Sequence, residues 1–184
     1  NSEIIVPTGS TLVLNQTEGL PLGANTMTLS GGGTLQSVGL DLNDPDSKLL
    51  LNSITVDSVS TSEDSLGLDV NETSAITSLL VGNITPVAIA SGRSLSGGIT
   101  VTGGSLKLAE QGTLASAISM SGGTLAAEKS LTVSGALTQS GNITIDVADT
   151  KTLTFSTGEI ETQAYQLTLA GAGTIAFPAN ASGI

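Results

Sequence analysis

The chain of 184 residues contains no cysteine, no histidine and no tryptophan, with two phenylalanines and one tyrosine as its only aromatics. Without cysteine there is no disulfide framework and no thiolate metal site. Without histidine the side chain that most often serves as general base near neutral pH is missing. Aromatic residues make up 2% of the chain, whereas large rings usually dominate a rounded core. A thin core stacked from Leu, Ile, Val and Ala is the expectation instead. Basic residues are also scarce, five against sixteen acidic ones, for a net charge of −11. Nucleic acid is thereby disfavoured as a partner, because phosphate binding needs cations to displace counterions. No apolar run approaches the ~18 residues of a membrane span. No signal peptide is visible and the first residue is Asn1 rather than Met, so the chain reads as a mature form or an excised segment.

What the sequence does have is a repeat. Over residues 94–127, Leu95, Ile99-Thr100-Val101 and Leu106-Lys107-Leu108 recur as Leu114, Ile118-Ser119-Met120 and Leu125-Ala126-Ala127, every marker displaced by the same interval. Within a copy, three short runs alternate apolar with polar, separated by Gly, Ser or Thr. Alternation with period 2 is the pattern of a strand with one buried face. Three such strands at a fixed interval of about 20 residues predict an all-β chain wound as a β-solenoid, in which each coil buries its inward residues against the coils above and below.

The remainder is compatible with further coils. Ile4-Ile5-Val6, Leu12-Val13-Leu14, Leu20-Pro21-Leu22 and Met27-Thr28-Leu29 are short apolar runs between turn residues. Residues 36–90 read as less regular and loop-bearing, because Gly39-Leu40-Asp41-Leu42-Asn43 recurs as Gly67-Leu68-Asp69-Val70-Asn71 only after more than one coil. Residues 43–48 and 60–65 are polar enough for exposed turns. Residues 74–82 fit either a strand or a short helix ending at Gly82. Residues 91–177 form the regular part, built on an apolar-Thr-apolar triplet whose threonines (Thr28, Thr55, Thr100, Thr132, Thr144, Thr154, Thr168) are expected to face solvent. No linker is visible, so residues 1–184 are taken as one solenoid domain. At about 20 residues per coil this predicts roughly nine coils and, at the ~4.8 Å strand spacing, a rod about 43 Å long.

The segment 97–114, GGITVTGGSLKLAEQGTL, resembles the Gly-rich repeats of bacterial autotransporter passenger domains and related large surface adhesins, whose repeats follow G-G-x-T-x-x-x-G-x-L-x-L. Gly97, Gly98, Thr100, Gly104, Leu106 and Leu108 match, and residues 121–127 and 170–177 match in part. The likeness covers about half the chain. It implies a right-handed parallel β-helix and an extracellular or cell-surface rod that holds something away from a cell or adheres to a surface or glycan. The C-terminal membrane barrel and the secretion signal of an autotransporter are not in this sequence.

Several residue groups are candidates for chemistry. Glu110, Glu128 and Asp146 are equally spaced and follow comparable strands, so they predict a ladder of carboxylates about 4.8 Å apart on successive coils. Such a ladder would suit a carbohydrate-cleaving β-helix, which needs paired carboxylates, or solvated turns with Lys129 nearby. Arg93 is the only arginine. Asp41, Asn43, Asp44 and Asp46 place oxygen ligands at alternate positions, as calcium prefers. They lack the Gly and the distal Glu of an EF-hand loop and are interrupted by Pro45, so a plain acidic turn is the competing reading. Eight acidic residues (Asp41, Asp44, Asp46, Asp57, Glu63, Asp64, Asp69 and Glu72) crowd into 41–72 against Lys48 alone. The outward threonine rows suit an ice-binding face as well as ordinary strand exteriors. Sequons stand at Asn15, Asn71, Asn83, Asn142 and Asn180.

The reading is a non-enzymatic rod of an extracellular fibre or adhesin, without cofactor, with carbohydrate-binding or carbohydrate-cleaving and ice-binding solenoids as alternatives. No capping element is apparent at Glu3-Ile4-Ile5-Val6 or after Thr174-Ile175-Ala176-Phe177. Solenoid ends normally need covering, so the expected neighbours are further repeats or like subunits stacked end to end.

Overall fold

The computed structural model describes residues 2–157, 160–161 and 164–178. Every regular element among them is a strand, and the strands stack in parallel as a β-solenoid of eight complete turns followed by two strands of a ninth. The three-strand coil survives as three faces. Face I is a sheet of nine strands, Ser2–Ile5, Thr26–Ser30, Lys48–Asn52, Gly67–Val70, Ile84–Ile89, Ser105–Leu108, Thr124–Ala127, Ile143–Val147 and Leu167–Gly171, taken in chain order from edge to edge. Eight inter-strand steps make it about 38 Å long. Faces II and III belong to one fourteen-strand sheet. They are separate strands in the outer coils but merge in three central ones into the single long strands Thr55–Thr61, Ser74–Val81 and Ser94–Val101.

That merging corrects the count of three strands per coil in the middle of the rod. There the corner between faces II and III is a β-bulge, a register shift between Ile76 and Ser78 against Ser94–Val101. A bulge bends a strand without ending it. Gly97, opposite the bulge, has φ +117°, and a side chain there would collide with the carbonyl oxygen of Ile76. Only glycine fits that position.

The repeat seen in the sequence is the coil itself. Leu95 pairs with Leu114, Ile99 with Ile118, Val101 with Met120 and Leu106 with Leu125. No hairpin joins 99–101 to 106–108, which lie on different sheets. The segment 36–90 departs from the expectation of loops. On face I Leu49 pairs with Leu68, and Leu68 with Val87, at an interval as short as anywhere in the rod, while on face II Leu35 pairs with Val56 and Val56 with Ile76 at slightly longer ones. The likeness of 39–43 to 67–71 joins non-equivalent strands, since Leu40 lies on face III and Leu68 on face I. Residues 74–81 are strand rather than helix, with Ile76, Leu79 and Val81 buried.

Alternation explains the packing. Strands such as Leu131–Val133 and Ile143–Val147 are buried at every second residue, and the inward residues form one continuous apolar cluster from Val6 to Phe155. Leu106, Leu108, Leu125, Leu131, Ile143 and Leu153 are all buried, while Leu167 is half-buried against the cluster. None of the seven triplet threonines is buried. The few aromatics act together, the rings of Phe155 and Phe177 stacking 5.5 Å apart. Six hydroxyl residues are buried among the described ones, and two of them pair, Thr85 donating to Thr61 at 2.9 Å. Pairing them satisfies groups whose burial alone would be costly.

Candidate functional site

Coil stacking decides which outward side chains meet. On face I, Lys107 pairs in register with Ala126, and Ala126 with Asp146. Glu128 follows the strand Thr124–Ala127, its amide bonded to the carbonyl of Leu108. It therefore sits two residues along from the Lys107–Ala126–Asp146 column. Lys107 reaches it diagonally, with Nζ 3.8 Å from Oε1. The same diagonal recurs three coils earlier, where Lys48 Nζ lies 2.7 Å from Asp69 Oδ2. Because Ala126 is small, it leaves an open groove of about 250 Å³ bounded by Lys107, Glu128, Asp146, Ser105 and Thr124.

The predicted carboxylate ladder is therefore not formed. The coils here run from Leu106 to Leu125 and from Leu125 to Ile145, both longer than the interval between the carboxylates. Glu110 falls in the turn after Ser105–Leu108 and is exposed, and Asp146 falls within a strand. Two of the three, Glu128 and Asp146, still converge on the groove as diagonal neighbours, about 8 Å apart by strand spacing and rise. Half of the Glu128 side chain, 51%, is exposed and ion-paired, so the groove holds an ammonium and two carboxylates in contact with water.

The acidic turn is assembled from its own hydrogen bonds. Asp41 accepts from the Ser60 hydroxyl at 3.0 Å, the Ser62 hydroxyl at 2.8 Å and the Ser62 amide at 3.2 Å. Asn43 Oδ1 accepts from the Gly23 amide and Asp44 Oδ1 from the Asp46 amide, both at 2.9 Å. The Asp41 carboxylate, Asn43 Oδ1 and Asp44 Oδ1 thus join coils and close the turn. Among the described residues no three acidic side chains gather as a metal cluster.

Hydroxyls form ranks along face II. Ser94, Thr113, Thr132 and Thr154 stand in register on successive coils. Beside them the Thr152 amide donates to Ser130 Oγ at 3.0 Å, and Thr152 pairs with Thr174. Gln111, Thr113, Ser130, Thr132, Thr152 and Thr154 line a polar groove of about 350 Å³. The rank ends at Ala176. Of the sequons, Asn15, Asn71 and Asn142 are exposed, Asn83 is half-buried with Thr85 in the core, and Asn180 lies outside the described residues.

A third groove was not legible from residue types. On face II, Val13, Gln36 and Asp57 stack on three successive coils, as the in-register pairs Val13–Gln36 and Thr34–Thr55 require. The turns that follow bring Gln16, Ser37 and Val38 beside them around about 330 Å³. Only the register puts these side chains together. Sequence spacing left it open, because the coils shorten along this end of the rod, from Ile4–Leu29 to Leu29–Leu51 to Leu51–Val70.

The class that fold and surface define is a parallel β-solenoid with polar lateral grooves. Compared with protein-family models, curated proteins and solved structures, the chain matches none. No helix among the described residues is long and apolar enough to cross a membrane.

Proposed function

We propose that the chain is a rod segment of an extracellular fibre or surface adhesin, non-enzymatic and without a resident cofactor, that mediates attachment or assembly. The observation that carries this reading is the stack itself: nine face I strands paired in chain order, with no other element inserted in that sheet among the described residues. Such a quasi-one-dimensional architecture supplies length and a repetitive lateral surface. The likeness of residues 97–114 to autotransporter passenger and adhesin repeats supports the same reading. The partners proposed are further solenoid repeats or like subunits along the axis and a cell-surface or glycan ligand on the side. Small-angle scattering and electron microscopy test it. Rods of constant cross-section that lengthen in steps with concentration, and that attach to cells or glycan-coated surfaces, are expected. A compact particle that neither lengthens nor adheres refutes the reading.

Two other readings each rest on one observation. The Glu128–Asp146 groove favours a carbohydrate-active solenoid, which cleavage assays separate from a rod. The aligned rank Thr113–Thr132–Thr154 favours an ice-binding face, which thermal hysteresis separates from both.

A further inference from the structure

We infer that the groove bounded by Val13, Gln36, Asp57, Gln16, Ser37 and Val38 is a binding site for a neutral saccharide unit. This rests on the adhesive reading above and deepens it by naming the ligand class and its place.

Unpaired polar atoms point to the site. A buried donor or acceptor without a partner is costly, so native proteins leave few of them. Among the described residues four side-chain atoms are covered and unpartnered, and two of these, Gln16 Oε1 and Ser37 Oγ, belong to residues lining this one groove. Both residues are only half-buried. Binding then requires a rotation about a side-chain torsion, between staggered wells, that turns the amide or hydroxyl toward the groove. The rim is apolar: Val13 is 52% and Val38 55% exposed, among the most exposed large apolar residues of the chain.

The chemistry of the lining selects the ligand. The Asp57 carboxylate only accepts hydrogen bonds, the Gln16 and Gln36 amides each offer an acceptor oxygen and a donor nitrogen, and the Ser37 hydroxyl does either. The matching ligand carries groups that both donate and accept, is uncharged and compact, and has an apolar face for the two valines. A sugar ring offers hydroxyl donors on its edge and C–H groups on its face. An anion is opposed by Asp57 and the acidic chain, and one carboxylate does not make a calcium site. A peptide adding as a strand needs a free sheet edge. The free edge here is Thr11–Val13, whereas the groove runs across the outward face over Gln36 and Asp57, on strands paired on both sides. The volume of about 330 Å³ lies at the small end of ligand pockets. A shallow site of this kind binds weakly, and a fibre presenting many copies compensates by avidity.

The test is a nuclear magnetic resonance titration of isotope-labelled protein with methyl glycosides of glucose, galactose, mannose and N-acetylglucosamine, and in parallel with a soluble serine-glycine peptide. Saturable shifts confined to the amides of 13–16, 36–38 and 57 are expected with at least one glycoside. Ser37→Ala and Asp57→Asn should each weaken that binding about ten-fold, one charge-assisted or newly made hydrogen bond's worth. Ser119→Ala, on face III, should leave it unchanged. The spectrum of each variant reports its folding directly, and Val38→Ala gives a second, apolar probe of the same groove. The proposal is overturned if no glycoside shifts these amides, if the shifts survive both polar substitutions, or if the peptide alone produces them. Rod dimensions and lengthening are measured separately, so loss of the saccharide site leaves the rod reading standing, and the reverse holds too.

Discussion

Replacing Leu125 with alanine tests the solenoid core where it is best defined. Leu125 is fully buried in the strand Thr124–Ala127, directly between Leu106 on the coil below and Ile145 on the coil above. The substitution removes three carbons, and at about 0.8 kcal/mol per buried methylene the transfer loss alone is about 2.4 kcal/mol. The neighbours cannot close the gap freely, because Leu106 and Ile145 are each fixed by backbone pairing on both sides. An unrelaxed cavity adds to the transfer loss, placing the total at about 3–5 kcal/mol. The outward neighbour Thr124, changed to alanine, should stay within about 0.5 kcal/mol of the parent. Urea unfolding followed by far-ultraviolet circular dichroism gives both values. Stacked coils unfold locally as well as globally, so hydrogen exchange should show protection falling first in the coils on either side of Leu125. A Leu125→Ala cost below about 1 kcal/mol, or one equal to that of Thr124→Ala, would refute the inward placement.

The corner at Gly97 gives a second expectation. Gly97→Ala meets both an unfavourable φ and the Ile76 carbonyl, and should cost about 1–3 kcal/mol or more, read as a drop in thermal midpoint. Lys48→Met should cost at most about 1 kcal/mol, a difference that shrinks in high salt, since the Lys48–Asp69 pair is partly exposed. A larger, salt-independent loss would refute the reading of the pair as solvent-screened. For the Lys107–Glu128–Asp146 groove, purified protein is expected to cleave no polysaccharide in a broad panel. Sustained cleavage abolished by Glu128→Gln would replace the rod reading with the carbohydrate-active one.

Much of the architecture follows from sequence alone, because it depends on local alternation and on a constant interval. Period 2 sets which side of a strand is buried, and the shared spacing of Leu95 and Leu114, and of Leu106 and Leu125, is the register that the strands adopt. Burying one face fixes register strongly, since a slip of one residue turns every apolar side chain outward. The outer surface has no such constraint, and there only the tertiary structure decided. Turns between faces I and II vary between three and four residues around Ala109, Glu128 and Ala148, so the shorter interval of the carboxylates slides against the longer coils. The ladder of Glu110, Glu128 and Asp146 dissolves, while Lys107 and Glu128 meet across coils although nothing in their spacing announces it. The likeness of the strands at Leu40 and Leu68 misled for a related reason: similar strands recur on different faces, and sequence cannot tell one face from another. The bulge at Ile76 and Ser78 and the groove at Gln16 and Ser37 likewise exist only once coils of unequal length are stacked. Inward residues answer to their own strand's alternation, but outward neighbours answer to the lengths of every turn between them.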